Sequence, residues 1–162
     1  MQVRGFPPIA APDAEILILG SMPGIASLTA GQYYAHPRNA FWPIMGDLFG
    51  AGPELAYEAR VDRLKRARVA VWDVLKLCLR EGSLDADIRE EVPNDFAAFF
   101  AAHPRIRQVG LNGGKAAASF RKHAAMHLPA GAGTALLPST SPAHAARSLA
   151  DKARLWRAAL GA

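Results

Sequence analysis

Glu15-Ile16-Leu17-Ile18-Leu19-Gly20-Ser21-Met22-Pro23-Gly24 carries an unbroken apolar run straight into a turn of two glycines, a serine and a proline. Such a run, continuous rather than alternating, fits a strand buried on both faces. The turn lets the backbone come close to a ligand and aim its amides at it. Three further runs share this character: VAVWDV (69–74), IRQVGL (106–111) and TALLP (134–138). Helical patterns lie between and after them, over 40–49, over 54–68 opened by Pro53, over 95–102 behind an Asn94 cap, over 114–125 and over 145–160. The last places Leu149, Ala153, Trp156 and Leu160 on one face. This alternation predicts an α/β domain of three layers, α/β/α, around a central, mainly parallel four-stranded sheet. Ligands of such sheets bind outside the carboxyl ends of the strands. The exits SMPG, Asp73, LNGGK and PSTSPAH are therefore expected to gather along one edge.

The 162 residues fit a single domain, 1–162, with no internal repeat or linker. A hydrophobic content of 51% with 20% charged residues, and no run long enough to span a bilayer, predicts a soluble globular monomer that needs no membrane. The N-terminal MQVRGFPPIA lacks the apolar core and cleavage site of a signal peptide, which points to the cytoplasm, as does a single cysteine, Cys78. One cysteine forms no internal disulfide and no four-cysteine zinc site. No HExxH or CxxC spacing is present, so no metal and no cofactor are expected. Nineteen Lys and Arg against fourteen Asp and Glu give a net charge of +5 and suit a polyanionic partner. Asn112-Gly113-Gly114-Lys115 lacks the spacing of a P-loop and reads as a strand-to-helix turn. Its Lys115, with Arg121, Lys122 and Arg147, is a candidate DNA-facing patch, although charges of this kind more often mark a solvated helix face.

The turn continues into Gln32-Tyr33-Tyr34-Ala35-His36-Pro37-Arg38-Asn39-Ala40-Phe41-Trp42-Pro43. This segment resembles the first motif of the uracil-DNA glycosylase superfamily, in which a GxNPG turn is followed by AHPxN and an FW pair. It is most similar to the hypoxanthine-DNA (deoxyinosine) glycosylase branch. Pro138-Ser139-Thr140-Ser141-Pro142-Ala143-His144 echoes the second motif, in the order the resemblance requires. Two departures stand out. Met22 occupies the position of the Asp or Asn that orients water in other branches, and Ser139 that of the histidine opening the second motif.

The resemblance implies base excision from DNA containing a deaminated base, hypoxanthine in preference to uracil or xanthine, by a monofunctional enzyme that leaves an abasic site. It implies a pocket of Gly20, Ser21, Met22, Pro23, Tyr34 and Asp73, with Tyr34 stacking on the extruded base and Asp73 reading its edge; as a strand-end residue Asp73 equally suits a helix cap. Asn39, Asp73 and His144 are the catalytic candidates. With Met22 in place of a water-activating group, Asn39 becomes the residue to hold water or touch the base, and a helix cap explains it equally well. Ser139, Ser141, Pro142, Ala143 and His144, with Arg147 and Lys115, form the expected DNA contact. Ala143 sits where relatives insert a leucine into the gap left by the flipped base. With Met22 and Ser139 in place of the customary catalytic groups, a catalytically silent module that binds damaged DNA is the rival reading. A small-nucleotide hydrolase is a third, weakened by the lack of a metal-binding acidic cluster.

Overall fold

The computed structural model describes residues 1–162. Seven strands and six helices follow one another as β1 (Gln2–Arg4), β2 (Ile16–Gly20), α1 (Ile25–Ala30), α2 (Phe41–Phe49), α3 (Tyr57–Arg66), β3 (Val69–Asp73), β4 (Leu75–Leu79), β5 (Arg89–Pro93), α4 (Phe96–Ala102), β6 (Gln108–Asn112), α5 (Gly114–His123), β7 (Gly133–Leu137) and α6 (Leu149–Leu160). The four expected apolar runs are β2, β3, β6 and β7, and they pair in parallel in the order β3-β2-β6-β7. β2 and β3 are buried at every position, as their apolar runs require, and Asp73 at the end of β3 is the one ionisable residue buried with them. Phe41 meets Trp156 edge-on at 6.1 Å and Trp42 meets Tyr57 at 5.8 Å, which joins α2, α3 and α6. Phe96 meets Phe120 at 6.4 Å and joins α4 to α5. No helix is long and apolar enough to cross a membrane.

The order of the sheet places the site. β2 and β6 are neighbours at the centre of the sheet, and the chain runs from β2 outward to β3 on one side and from β6 outward to β7 on the other. A crevice opens at the carboxyl ends of strands where the connections diverge in this way. In-register pairing sets Gly20, the last residue of β2, directly against Asp73, the last of β3.

Several boundaries differ from expectation, each for a local reason. β7 is an edge strand with alternating exposure rather than a fully buried one, and Leu136 is 65% exposed. α3 starts at Tyr57, three residues beyond the Glu54 start that Pro53 suggested. Asp95, not Asn94, caps α4, accepting from the Ala98 amide at 3.0 Å. Asn94 instead donates from Nδ2 to the Asp73 carbonyl at 2.8 Å. α6 begins at Leu149, where Ser148 accepts from the Asp151 amide, so Ala145 to Arg147 belong to the preceding loop. The short helix α1 and a second, antiparallel sheet β1-β4-β5 were not anticipated. β1 has only three residues, and β5 (REEVP) is too charged to read as a strand.

Glu91 ties this second sheet to α5. Its carboxylate accepts from Lys115, from Ser119 Oγ at 3.2 Å and from His123 Nε2 at 3.1 Å. Burial pushes the Glu91 carboxyl up, but the bonds from Lys115, His123 and Ser119 outweigh it and hold the group below its ordinary range. A carboxyl depressed on folding stabilises above its unfolded pKa, and that contribution is lost as pH falls through the lower folded value. Glu91→Gln is therefore expected to cost about 2 kcal/mol in urea unfolding at neutral pH. The difference from the parent should shrink as pH falls through that lowered folded value, where the Glu91 carboxyl takes up its proton.

Candidate functional site

A cavity of about 300 Å³ opens at the carboxyl edge of the sheet, between the exits of β2, β3 and β6 and the loop that follows β7. Asp73 lies in its wall, only 4% exposed. A Cβ at Gly20 would stand 2.6 Å from Asp73 Oδ1 and 2.7 Å from the Tyr34 hydroxyl. Only glycine lets these two groups approach across the strand end. Asp73 Oδ2 is buried without a hydrogen-bond partner. Burial above all, and then the charge of Asp85, raises the Asp73 carboxyl to about 7, against a smaller opposing pull from Arg80. A carboxyl that exchanges its proton near neutrality inside a cavity is poised for acid–base or hydrogen-bond chemistry.

Tyr34, at φ 54°, is one of three non-glycine residues in the left-handed region, and backbone strain of this kind concentrates at ligand-binding sites. Its ring stacks on Phe41 with centroids 4.0 Å apart. Its hydroxyl accepts from Asn112 Nδ2 at 3.3 Å. Burial, followed by the nearby Asp73 carboxyl, raises the phenol well above its ordinary range, so it stays protonated. Asn112 is the residue that reading the LNGGK turn as a simple connection overlooked. Its Nδ2 also donates to Thr140 Oγ1 at 3.0 Å, and its Oδ1 accepts from the Thr140 amide at 3.0 Å. The Thr140 carbonyl in turn accepts from the Ala40 amide at 3.0 Å. One side chain at the end of β6 thus clamps together the segment before α2 and the loop after β7.

Asn39 also lines the cavity, and its Oδ1 accepts from the Phe41 amide at 2.9 Å. Ala40, not Asn39, is the N-cap of α2; Asn39 accepts from the first helical amide from one residue outside the cap while it lines the cavity. The bond fixes the orientation of the amide, with Nδ2 as the group it offers the cavity. His36, quoted in the motif but not singled out, stands in the same wall; its Nδ1 accepts from the Arg38 amide at 3.1 Å, which puts the proton of the neutral ring on Nε2.

Ser21, Met22 and Pro23 are buried and line the cavity, and Ser139, Ser141, Pro142, Ala143 and His144 line it from the loop after β7. Ser139 Oγ accepts from the Ser141 amide and Ser141 Oγ from the Ala143 amide, both at 3.2 Å, so each hydroxyl keeps its proton for an outside acceptor. Buried Lys152 of α6 donates to the His144 carbonyl at 2.6 Å and steadies this loop. Burial lowers the pKa of that ammonium. Arg147 is exposed but outside the cavity wall, and Lys115, also outside it, is held by Glu91 rather than set free on a patch. A wall that the sequence did not single out is formed by Ser83 to Ala86; there Ser21 Oγ donates to Asp85 Oδ1 at 2.6 Å. No three His, Cys, Asp or Glu side chains gather to hold a metal ion.

Asn112→Ala removes three hydrogen bonds at once and leaves the Thr140 amide and hydroxyl without that partner. It is expected to lower stability by about 2–3 kcal/mol in urea unfolding. Hydrogen exchange at the Thr140 amide should rise well above the global change.

The Uracil DNA glycosylase superfamily model matches residues 7–160. A hypoxanthine DNA glycosylase of Methanosarcina barkeri is 40% identical over 116 residues, which cover 71% of this chain and 73% of the relative. A hypoxanthine DNA glycosylase of Methanosarcina acetivorans is 39% identical over 142 residues, 87% of each chain. Among solved structures, the solution NMR structure of a candidate uracil DNA glycosylase from Methanosarcina acetivorans superposes with a TM-score of 0.80 at 36% identity, covering 98% of both chains. A match that runs from the N-terminal segment through α6 and includes every exit lining the cavity leaves one assignment: this chain belongs to the uracil DNA glycosylase superfamily and is a DNA N-glycosylase.

Proposed function

We propose that the protein excises hypoxanthine from DNA, the activity for which its two Methanosarcina relatives are named, and leaves an abasic site. The observation that carries this reading is the buried, unpartnered carboxyl of Asp73 at the cavity wall, with a pKa of about 7. A protonated carboxyl offers a donor and an acceptor side by side. The lactam edge of hypoxanthine presents the complementary pair, an O6 acceptor beside an N1–H donor. Uracil and xanthine carry the same edge and are the runner-up substrates.

The base leaves the stack and enters the cavity, where Tyr34, one face covered by Phe41, offers the other for stacking. As the bond between C1′ and N9 lengthens, its electron pair moves onto the purine and positive charge spreads over the sugar. A neutral Asp73 donating to O6 opposes none of that charge, whereas an ionised one would repel it. Water adds to C1′, losing a proton as the base gains one. Asn39, held by the Phe41 amide, presents its Nδ2 to this water or to the sugar. In this reading Ser139, Ser141 and His144, which line the cavity, donate to DNA phosphates. No lysine stands in a Schiff-base setting, so a monofunctional enzyme is expected.

Base release should be measured from oligonucleotides carrying deoxyinosine, deoxyuridine or deoxyxanthosine. Release from deoxyinosine is expected to be fastest; DNA binding without release of any base would instead favour a silent binding module. Asn39→Ala should lower release by about 100-fold or more while costing only about 1 kcal/mol of stability. Full activity with the same loss of stability would leave Asn39 with only its structural bond to the Phe41 amide. For the parent, kcat/KM on deoxyinosine should fall as pH rises through about 7, where Asp73 loses its proton. Asp73→Asn, neutral at every pH, should flatten that profile. Because the folded pKa is raised, Asp73 costs stability increasingly as pH rises from 3.8 to about 7, and the cost is fully present above that. Asp73→Asn should accordingly melt higher than the parent at about pH 8.

A further inference from the structure

The loop after β7 brings Pro142, Ala143 and His144 to the cavity mouth, and none of them is a long aliphatic side chain able to fill the space of a base. Two larger apolar side chains stand elsewhere on the same mouth. Leu84 is 57% exposed and Ile25 55% exposed, and both line the cavity. The other strongly exposed large apolar residues, Met1, Met126, Leu136 and Leu149, take no part in it.

The segments that carry the two are fastened to one another. The Ile25 amide donates to Ser83 Oγ at 2.8 Å, and Ser21 Oγ donates to Asp85 Oδ1 at 2.6 Å. Beneath them Arg80, 3% exposed, donates from Nη2 to the Pro23 carbonyl. Three ties over so few residues hold Leu84 outward against a fixed base, as a side chain must be held if it is to enter a base stack. The residues flanking Leu84 also exclude a phosphate-gripping role: Glu81, Asp85 and Asp87 are acidic, and no Lys or Arg lies between Glu81 and Ile88. What this segment can offer DNA is the leucine, directed at bases.

We propose that Leu84, braced by Ile25, is the wedge that enters the duplex stack as the damaged nucleotide leaves it, in place of a side chain from the loop after β7. This rests on the assignment of the cavity as the base pocket. A wedge lowers the cost of unstacking, which a single strand hardly incurs, so its loss should be felt on duplex alone.

The test compares Leu84→Ala, Leu84→Met and the Ile25→Ala/Leu84→Ala double variant on one deoxyinosine oligonucleotide, single-stranded and in duplex. Leu84→Ala should lower the ratio of duplex to single-strand base release by about tenfold or more, with the double variant lower still and Leu84→Met near the parent. An unchanged ratio of duplex to single-strand rates, or a parent unable to act on duplex at all, would overturn the wedge. The second arm needs no base release. In a duplex with an abasic-site analogue beside 2-aminopurine, binding of the parent should alter the 2-aminopurine fluorescence, and binding of Leu84→Ala should not. Equal fluorescence changes for both would overturn the wedge. No release of hypoxanthine from any substrate would count against the hypoxanthine reading, and the fluorescence comparison would still decide the wedge.

Discussion

A carboxyl confined where water cannot fully solvate it is the constraint around which the rest of this protein is arranged. Register places Asp73 opposite Gly20, and the missing side chain at Gly20 admits both the carboxyl and the Tyr34 hydroxyl to one small volume. Burying an ionised group without a partner costs several kcal/mol, so such a group takes up a proton instead. The neighbours sharpen this preference: Asp85 adds negative charge, and Arg80 offsets it only in part. A residue chosen for stability would be neutral here at every pH. Retaining an aspartate at the end of a fully buried strand fits a trade of stability for chemistry.

The clamp around that carboxyl is built from hydrogen bonds between loops that are far apart in sequence. Asn112 joins Tyr34 to Thr140, and Thr140 joins the segment before α2. Lys152 steadies the same loop from α6. Strand exits are thereby positioned by one another, and the last also by the helix that follows it. This explains how a cavity lined mostly by turns keeps a defined shape. The same principle extends to the mouth, where Arg80 and Ser83 fasten the wall that carries Leu84 to the first turn.

The parallel sheet was legible because β2 and β3 are apolar runs up to their last residues, and the Gly20 turn was legible because its residues permit little else. Tyr34, Asn39, Asp73 and the loop from Ser139 to His144 were named from motifs and do line the cavity. Asn112 was hidden, since an asparagine before two glycines looks like turn chemistry and its partners are distant. The antiparallel sheet was hidden because short, charged β1 and β5 become strands only through their pairing with β4. Lys115 looked free until β5 brought Glu91 beside it. Asp85 and Leu84 lay in a run with no periodicity, and only the fold brings that run to the cavity.

The proton on Asp73 links the burial at Gly20 to the chemistry proposed for the cavity, and it can be observed directly. Titration of the Asp73 carboxyl carbon by NMR in the free protein, assigned with Asp73→Asn, should give a midpoint near 7. A midpoint near the ordinary value of about 4 would mean that the group is ionised at neutral pH. It would contradict a role for Asp73 as a donor to the departing base.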